Sequence, residues 1–173
     1  MKNTILRFGL IGGVLLILMS TLFLLDKNPI ATIRSFDFLL IPVVVFFSIK
    51  EYKLKYNRNF LQFWQGMSVG IGVFSLVAFI ASTAIYSYGA WIAPDIVTSY
   101  IQEGVSAIEE KKDAIITELG KEDYDLMLFE MNRTTILALA LDSLIKKVFI
   151  GLMSTIFVSI VLRKTENHEK LAV

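Results

Sequence analysis

Three charged side chains interrupt the last apolar stretch of the chain, Thr134 to Leu162: Asp142, Lys146 and Lys147. An ionisable group in apolar surroundings is costly unless something compensates it, which makes such residues functional candidates. Asp142 and Lys146 stand four apart, the spacing at which an acid and a base pair on one helix face. Depth decides between a buried site and an anchor. Val148 to Leu162 gives ~22 Å of helix at 1.5 Å per residue. That length puts Lys146 and Lys147 near an outer headgroup layer and Asp142 beyond it. Anchoring at the interface and pairing with the flanking polar segment is the role that follows.

Asp37 and Pro42 form the second set, in the apolar run Phe36 to Ile49. A proline inside a helix removes one backbone hydrogen bond and kinks the chain. It marks either a bent structural span or a hinge lining a cavity. Acids cluster at Glu109-Glu110 and Glu122-Asp123-Asp125, but they lack the spacing of an EF-hand loop, and no H-E-x-x-H pattern exists to hold zinc. They read as a solvated acidic face. His168 is the lone histidine and sits in a polar tail. The sequence has no cysteine, which excludes disulfides, thiolate catalysis and cysteine metal sites. No catalytic residue, cofactor or metal ligand is assigned.

The elements that position these residues are apolar helices. Of the 173 residues, 55% are hydrophobic and 19% are charged, with a net charge of +1; mean hydropathy is +0.63. This charge content lies below the ~25% usual for soluble domains. The central run from Phe63 to Ile92 carries no acid and no base, and an uncharged run beyond ~18 residues reads as a transmembrane helix. Four spans are expected, at about 5–25, 33–50, 63–92 and 145–163. The first follows a short basic start, Lys2 and Arg7, and has no small-residue cleavage pattern, so it reads as an uncleaved span rather than a signal peptide. The second is short for a bilayer and calls on Lys50, Lys53 and Lys55 to snorkel.

Charge segregation sets the orientation. The loop from Lys50 to Gln62 carries four bases against one acid and is placed in the cytoplasm by the positive-inside rule. Tyr52, Tyr56, Phe60, Phe63 and Trp64 make an aromatic belt beside it. Attraction to anionic lipid accounts for this loop better than nucleic-acid binding. Residues Pro94 to Arg133 hold ten acids and four bases, a net of −6, and are placed on the other side. Both termini are then cytoplasmic. Val97, Ile101, Val105, Ile108, Ile115 and Leu119 recur at helical spacing in this polar segment, with Tyr124, Met127, Met131 and Ala138 as a second stripe. The fold class is all-α: an integral membrane four-helix bundle, with an extracytoplasmic amphipathic helical hairpin, within about 94–144, between spans 3 and 4.

Small residues indicate how the spans pack. Gly66 and Gly70 form a G-x-x-x-G pair, and Gly151, Thr155 and Ser159 form a stripe on the last span, a natural mate for it. Gly9, Gly12 and Gly13 provide another close-approach face or merely a thin place in the first span.

Phe63-Trp64-Gln65-Gly66 followed by Gly70, the run through Tyr86 and Trp91 to Pro94-Asp95, and the ending Gly151-Leu152-Met153-Ser154 to Val161-Leu162-Arg163-Lys164 together resemble the bacterial membrane family called domain of unknown function 4199. The resemblance covers most of the chain. It implies a small four-span protein of the kind found in Bacteroidota, in the bacterial inner membrane, and it carries over no catalytic residue.

Three functions compete. The first is a non-enzymatic structural, accessory or interaction protein, whose partners are the lipid bilayer and a homo-oligomer or another membrane protein, with no nucleic acid. The second is a subunit of a small oligomeric transporter or channel using Asp37, Pro42, Asp142, Lys146 and Lys147. An intramembrane or interfacial enzyme is disfavoured because His168, alone in the tail, allows no nucleophile–histidine pair and no carboxylate pair lies at depth.

Overall fold

The structure, a computed structural model, describes the backbone of residues 1–23 and 29–164 and the side chains of residues 1–19 and 39–164. The expected link at 26–35 is therefore described only in part. The side chains of Arg34 and Asp37, and the tail with His168, lie outside the described residues.

Every element with more than a pairwise contact is helical among the described residues. In order they are α1 (Lys2–Phe23), α2 (Pro29–Glu51), α3 (Phe63–Ser87), α4 (Asp95–Glu110), α5 (Lys112–Leu119), α6 (Lys121–Asn132) and α7 (Ile136–Val161). Wider π-helical turns extend α2 over Tyr52–Tyr56 and α3 over Tyr88–Ile92. Three helical stretches are long and apolar enough to cross a membrane: Lys2–Met19, Phe63–Ile92 and Ile136–Val161. The helix α2 runs unbroken through Pro42, and Pro42 itself is half-buried.

The chain divides into two compact units, Met1–Ser82 with Ser143–Val173, and Thr83–Asp142. In the first unit, α1 packs on α2. The core joins Leu16 of α1, Ile41, Val45 and Ile49 of α2, Val69, Val73 and Val77 of α3, and Ile150 and Val158 of α7. Leu10, Leu18, Phe79, Phe149, Phe157 and Ile160 are exposed. Large apolar side chains pointing outward on helices of this composition are what a hydrocarbon solvent selects, since lipid is as apolar as the core.

In the second unit, α6 packs against both α4 and α5. The stripe from Val97 to Leu119 falls on two helices, because Lys111 leaves the helical conformation at φ −101°, ψ 12°. Glu109 to Asp113 offers no apolar side chain to hold that stretch against α6. Val97, Ile101, Val105, Ile108 and Ile115 are half-buried, whereas Leu119 is exposed. On α6 the inward stripe is Tyr124, Leu128 and Met131, while the expected Met127 is exposed and so is Ala138 of α7. Spacing of four and three keeps the first three on one face, and Met127 is rotated off it by about 100° from Leu128. Gly104 lets Met131 reach α4, since a Cβ there would lie 2.6 Å from the Met131 sulfur.

Gly120 separates α5 from α6 at φ 99°, ψ 167°, a backbone conformation that is essentially glycine's alone. Nothing lies within 4 Å of the position a Cβ would take, so the constraint is in the backbone and not in packing. Gly120→Ala should cost about 1–3 kcal/mol of local stability. Hydrogen exchange of the full chain in mild detergent checks this: amides of α5 and α6 should exchange faster, with those of α1 unchanged.

Candidate functional site

The seam between α3 and α7 is built from one residue every four on each helix. Gly66 lies against Ser159, Gly70 against Thr155, and Gly151 against Phe74. A Cβ on Gly66 would fall 2.6 Å from Ser159 Oγ, and one on Gly70 would fall 2.6 Å from Thr155 Oγ1. Such separations leave room for hydrogen only. The backbones approach closely, and dispersion between them supplies what hydrophobic burial cannot supply in lipid. Ser159 and Thr155 are fully buried, and their hydroxyls have no hydrogen-bond partner among the described residues. A hydroxyl facing a glycine Cα–H makes the weaker carbon-donor contact, which favours this close geometry. Ser154, off the seam, instead donates to the Ile150 carbonyl at 2.7 Å.

A second close seam joins α1 to α3. A Cβ on Gly9 would meet Leu76, one on Gly13 would meet Ile80, and one on Gly72 would meet Ile5. Gly12 faces Val77 of α3 at 2.8 Å and Val44 of α2 at 3.0 Å from its would-be Cβ. The glycines of α1 thus adjoin packed side chains. Helix α3 is the shared element, with Gly66 and Gly70 towards α7 and Gly72 towards α1.

The charged candidates separate. Lys146 is exposed and Asp142 half-buried, one turn apart on α7. Lys147 is buried, at 3% exposure, and donates to Ser143 Oγ at 2.6 Å. Sequence reasoning treated Lys146 and Lys147 alike as headgroup anchors. The structure distinguishes them, because one helical step of about 100° turns Lys147 inward. A signal for this was present: Ser143, Lys147, Gly151, Thr155 and Ser159 recur every four residues, so Lys147 shares the seam-facing stripe.

Two further features escaped sequence reasoning. Arg7 of α1 donates to the Glu51 carboxylate at the end of α2, with Lys55 3.8 Å from the same carboxylate. Glu51 is the one acid in an otherwise basic loop, which was the available sign. Leu61 and Lys164 exchange two backbone hydrogen bonds, 2.8 Å and 3.0 Å, between positions that no local pattern relates. No group of three or more His, Cys, Asp or Glu side chains able to hold a metal ion occurs among the described residues. Glu109, Glu110, Glu122, Asp123 and Asp125 are all exposed.

A family model described as "Protein of unknown function (DUF4199)" matches residues 7–164. No curated protein and no solved structure matches the chain.

Two substitutions probe this geometry. Gly70→Val pushes methyl groups into Thr155 and should lower stability by about 1–3 kcal/mol, read as a lower Tm of the full chain in mild detergent. Ser143→Ala removes an acceptor from the buried Lys147 ammonium and should cost more than Ser154→Ala, by about 1 kcal/mol; equal Tm values for the two variants would contradict the arrangement.

Proposed function

The chain belongs to the DUF4199 family of proteins of unknown function, and from that premise we propose that it is a multi-pass protein of the bacterial inner membrane that works through contacts rather than catalysis. It is a structural or accessory component that holds a second copy of itself or another membrane protein. The observation that carries this reading is the pair of glycine seams on α3. They commit the centre of the bundle to tight helix packing and leave its outer faces apolar and open to lipid or to a partner helix.

The topology goes with it. Three helices have the length and composition of spans, and α2, 23 residues long, completes a set of four. With the loop from Lys50 to Gln62 in the cytoplasm, both termini are cytoplasmic and the acidic helices α4 to α6 are extracytoplasmic. Gly66, Gly70, Gly151, Thr155 and Ser159 are the packing residues of this protein. No cofactor is assigned, and nucleic acid is not among its partners.

One observation favours a second reading, a subunit of a small oligomeric transporter or channel. A lysine buried on α7, as Lys147 is, is a costly feature to keep for anchoring alone. In that reading Lys147, with Asp37, Pro42, Asp142 and Lys146, would be the residues that carry the activity.

The absence of cysteine allows a clean test of both topology and assembly. Single-cysteine variants at Lys55 and Lys111 should label oppositely with a membrane-impermeant maleimide: Lys111→Cys in intact cells, Lys55→Cys only after permeabilisation. Crosslinking of the full chain in native membranes should then recover a defined homo-oligomer or one partner. A chain that remains monomeric in lipid overturns the contact reading, and loss of solute flux in Lys147→Met with assembly intact would select the second.

A further inference from the structure

The basic residues of the α2–α3 loop and those that end α7 are a hundred positions apart in sequence and joined in space. The Leu61–Lys164 backbone pair fastens one to the other. The Lys164 ammonium lies 6.0 Å from the centre of the Phe60 ring, a cation–π distance that ties the same two segments together again. The loop is fixed internally as well. Asn57 Nδ2 donates to the Phe60 carbonyl at 2.9 Å and to Gln65 Oε1 at 2.7 Å, and the Asn59 N–H donates to the Lys53 carbonyl at 2.9 Å. Arg58 and Asn59 are held in the left-handed region, at φ 47° and 67°. Two consecutive non-glycine residues persist there only when their surroundings over-determine them.

The result is a rigid basic rim. Lys50, Lys55, Arg58, Arg163 and Lys164 are all exposed on it. The acid in its midst, Glu51, is already engaged by Arg7 and Lys55. Exposed apolar and aromatic side chains stand among the bases: Leu54, Tyr56 and Trp64, with Val161 at the end of α7. Ammonium and guanidinium groups beside amphipathic rings, at the ends of apolar helices, match the layer where phosphates meet acyl chains.

We propose that this rim, formed by Lys55, Arg58, Arg163 and Lys164 and closed by the Leu61–Lys164 pair, is a preformed binding site for the phosphodiester headgroup of an anionic phospholipid. A fixed arrangement of bases loses less entropy on binding than a mobile loop, and this separates a site from a diffuse attraction. The inference rests on the membrane-spanning reading, which supplies the lipid at that level. It goes beyond it by naming a ligand and the residues that hold it.

Binding of dioleoylphosphatidylglycerol and of dioleoylphosphatidylcholine to the full chain in nonionic detergent, followed by native mass spectrometry, tests it. The anionic lipid should bind at least about a hundredfold tighter than the zwitterionic one, since each base contributes about 1 kcal/mol, or fivefold, to attraction of anionic headgroups. The triple variant Lys55→Gln, Arg58→Gln, Lys164→Gln should weaken phosphatidylglycerol binding on the order of a hundredfold and leave phosphatidylcholine unchanged. The Lys164 backbone bonds survive this change. Should the triple variant fold poorly, Arg58→Gln alone should weaken binding about fivefold. A matched variant on the other unit, Lys111→Gln, Lys112→Gln, Lys121→Gln, should have no effect. Equal affinity for the two lipids, or equal loss in the matched variant, overturns the site. Displacement of phosphatidylglycerol by millimolar inorganic phosphate assigns the rim to a free anion and overturns the lipid. Failure of the spanning reading is distinguishable, because Lys55→Cys and Lys111→Cys would then label alike, with or without permeabilisation.

Discussion

Helices immersed in hydrocarbon gain nothing by hiding apolar side chains from their solvent, so what holds them together must be closeness. This constraint governs the first unit of the structure. Helix α3 carries Gly66 and Gly70 on the side facing α7 and Gly72 on the side facing α1, and each accepts a neighbour where a methyl would not fit. The core residues Val69, Val73 and Val77 lie between these faces, buried and of nearly uniform size. They keep the helix slim along its length. The large side chains, Phe79, Phe149 and Phe157, are displaced to the outside, where their bulk hinders no interhelical approach.

Composition and periodicity make part of this legible without coordinates. The uncharged run Phe63–Ile92 identifies a membrane-length helix because no other common structure tolerates so long an apolar stretch, and the all-helical class follows from satisfying backbone polar groups in such a run. Gly66 and Gly70 announce a face of close approach. What spacing cannot supply is register: that Gly66 meets Ser159 and Gly70 meets Thr155 depends on the lengths of everything between them. The same limit hides the Leu61–Lys164 pair and the Arg7–Glu51 contact, which join positions with no local relation. The burial of Lys147 is hidden for a different reason. Depth was counted along the helix, and rotation around it was not, although the fourfold recurrence through Gly151, Thr155 and Ser159 held that information.

The second unit follows another logic. Its helices are acidic and short, and stability there comes from an amphipathic stripe against α6, with a close glycine contact where Gly104 meets Met131. Met127 and Leu128 differ little in hydrophobicity, so which of them turns inward is set by the helix start at Lys121, after the break at Gly120. A one-residue shift in that break would rotate the stripe by about 100°. The polar segment is therefore specified by its turn residue as much as by its apolar pattern.

The pairing of Leu61 with Lys164 makes the chain, in mechanical terms, a closed ring. Between those positions lie α3 to α7, and the two hydrogen bonds shut the circuit at the same end of the bundle. A closed ring transmits torque. Strain at Lys164 is shared by this bond pair with Leu61, two residues before the start of α3. The end of α7 and the entrance to α3 are consequently tied at one point, so neither can shift far along its axis without straining the other.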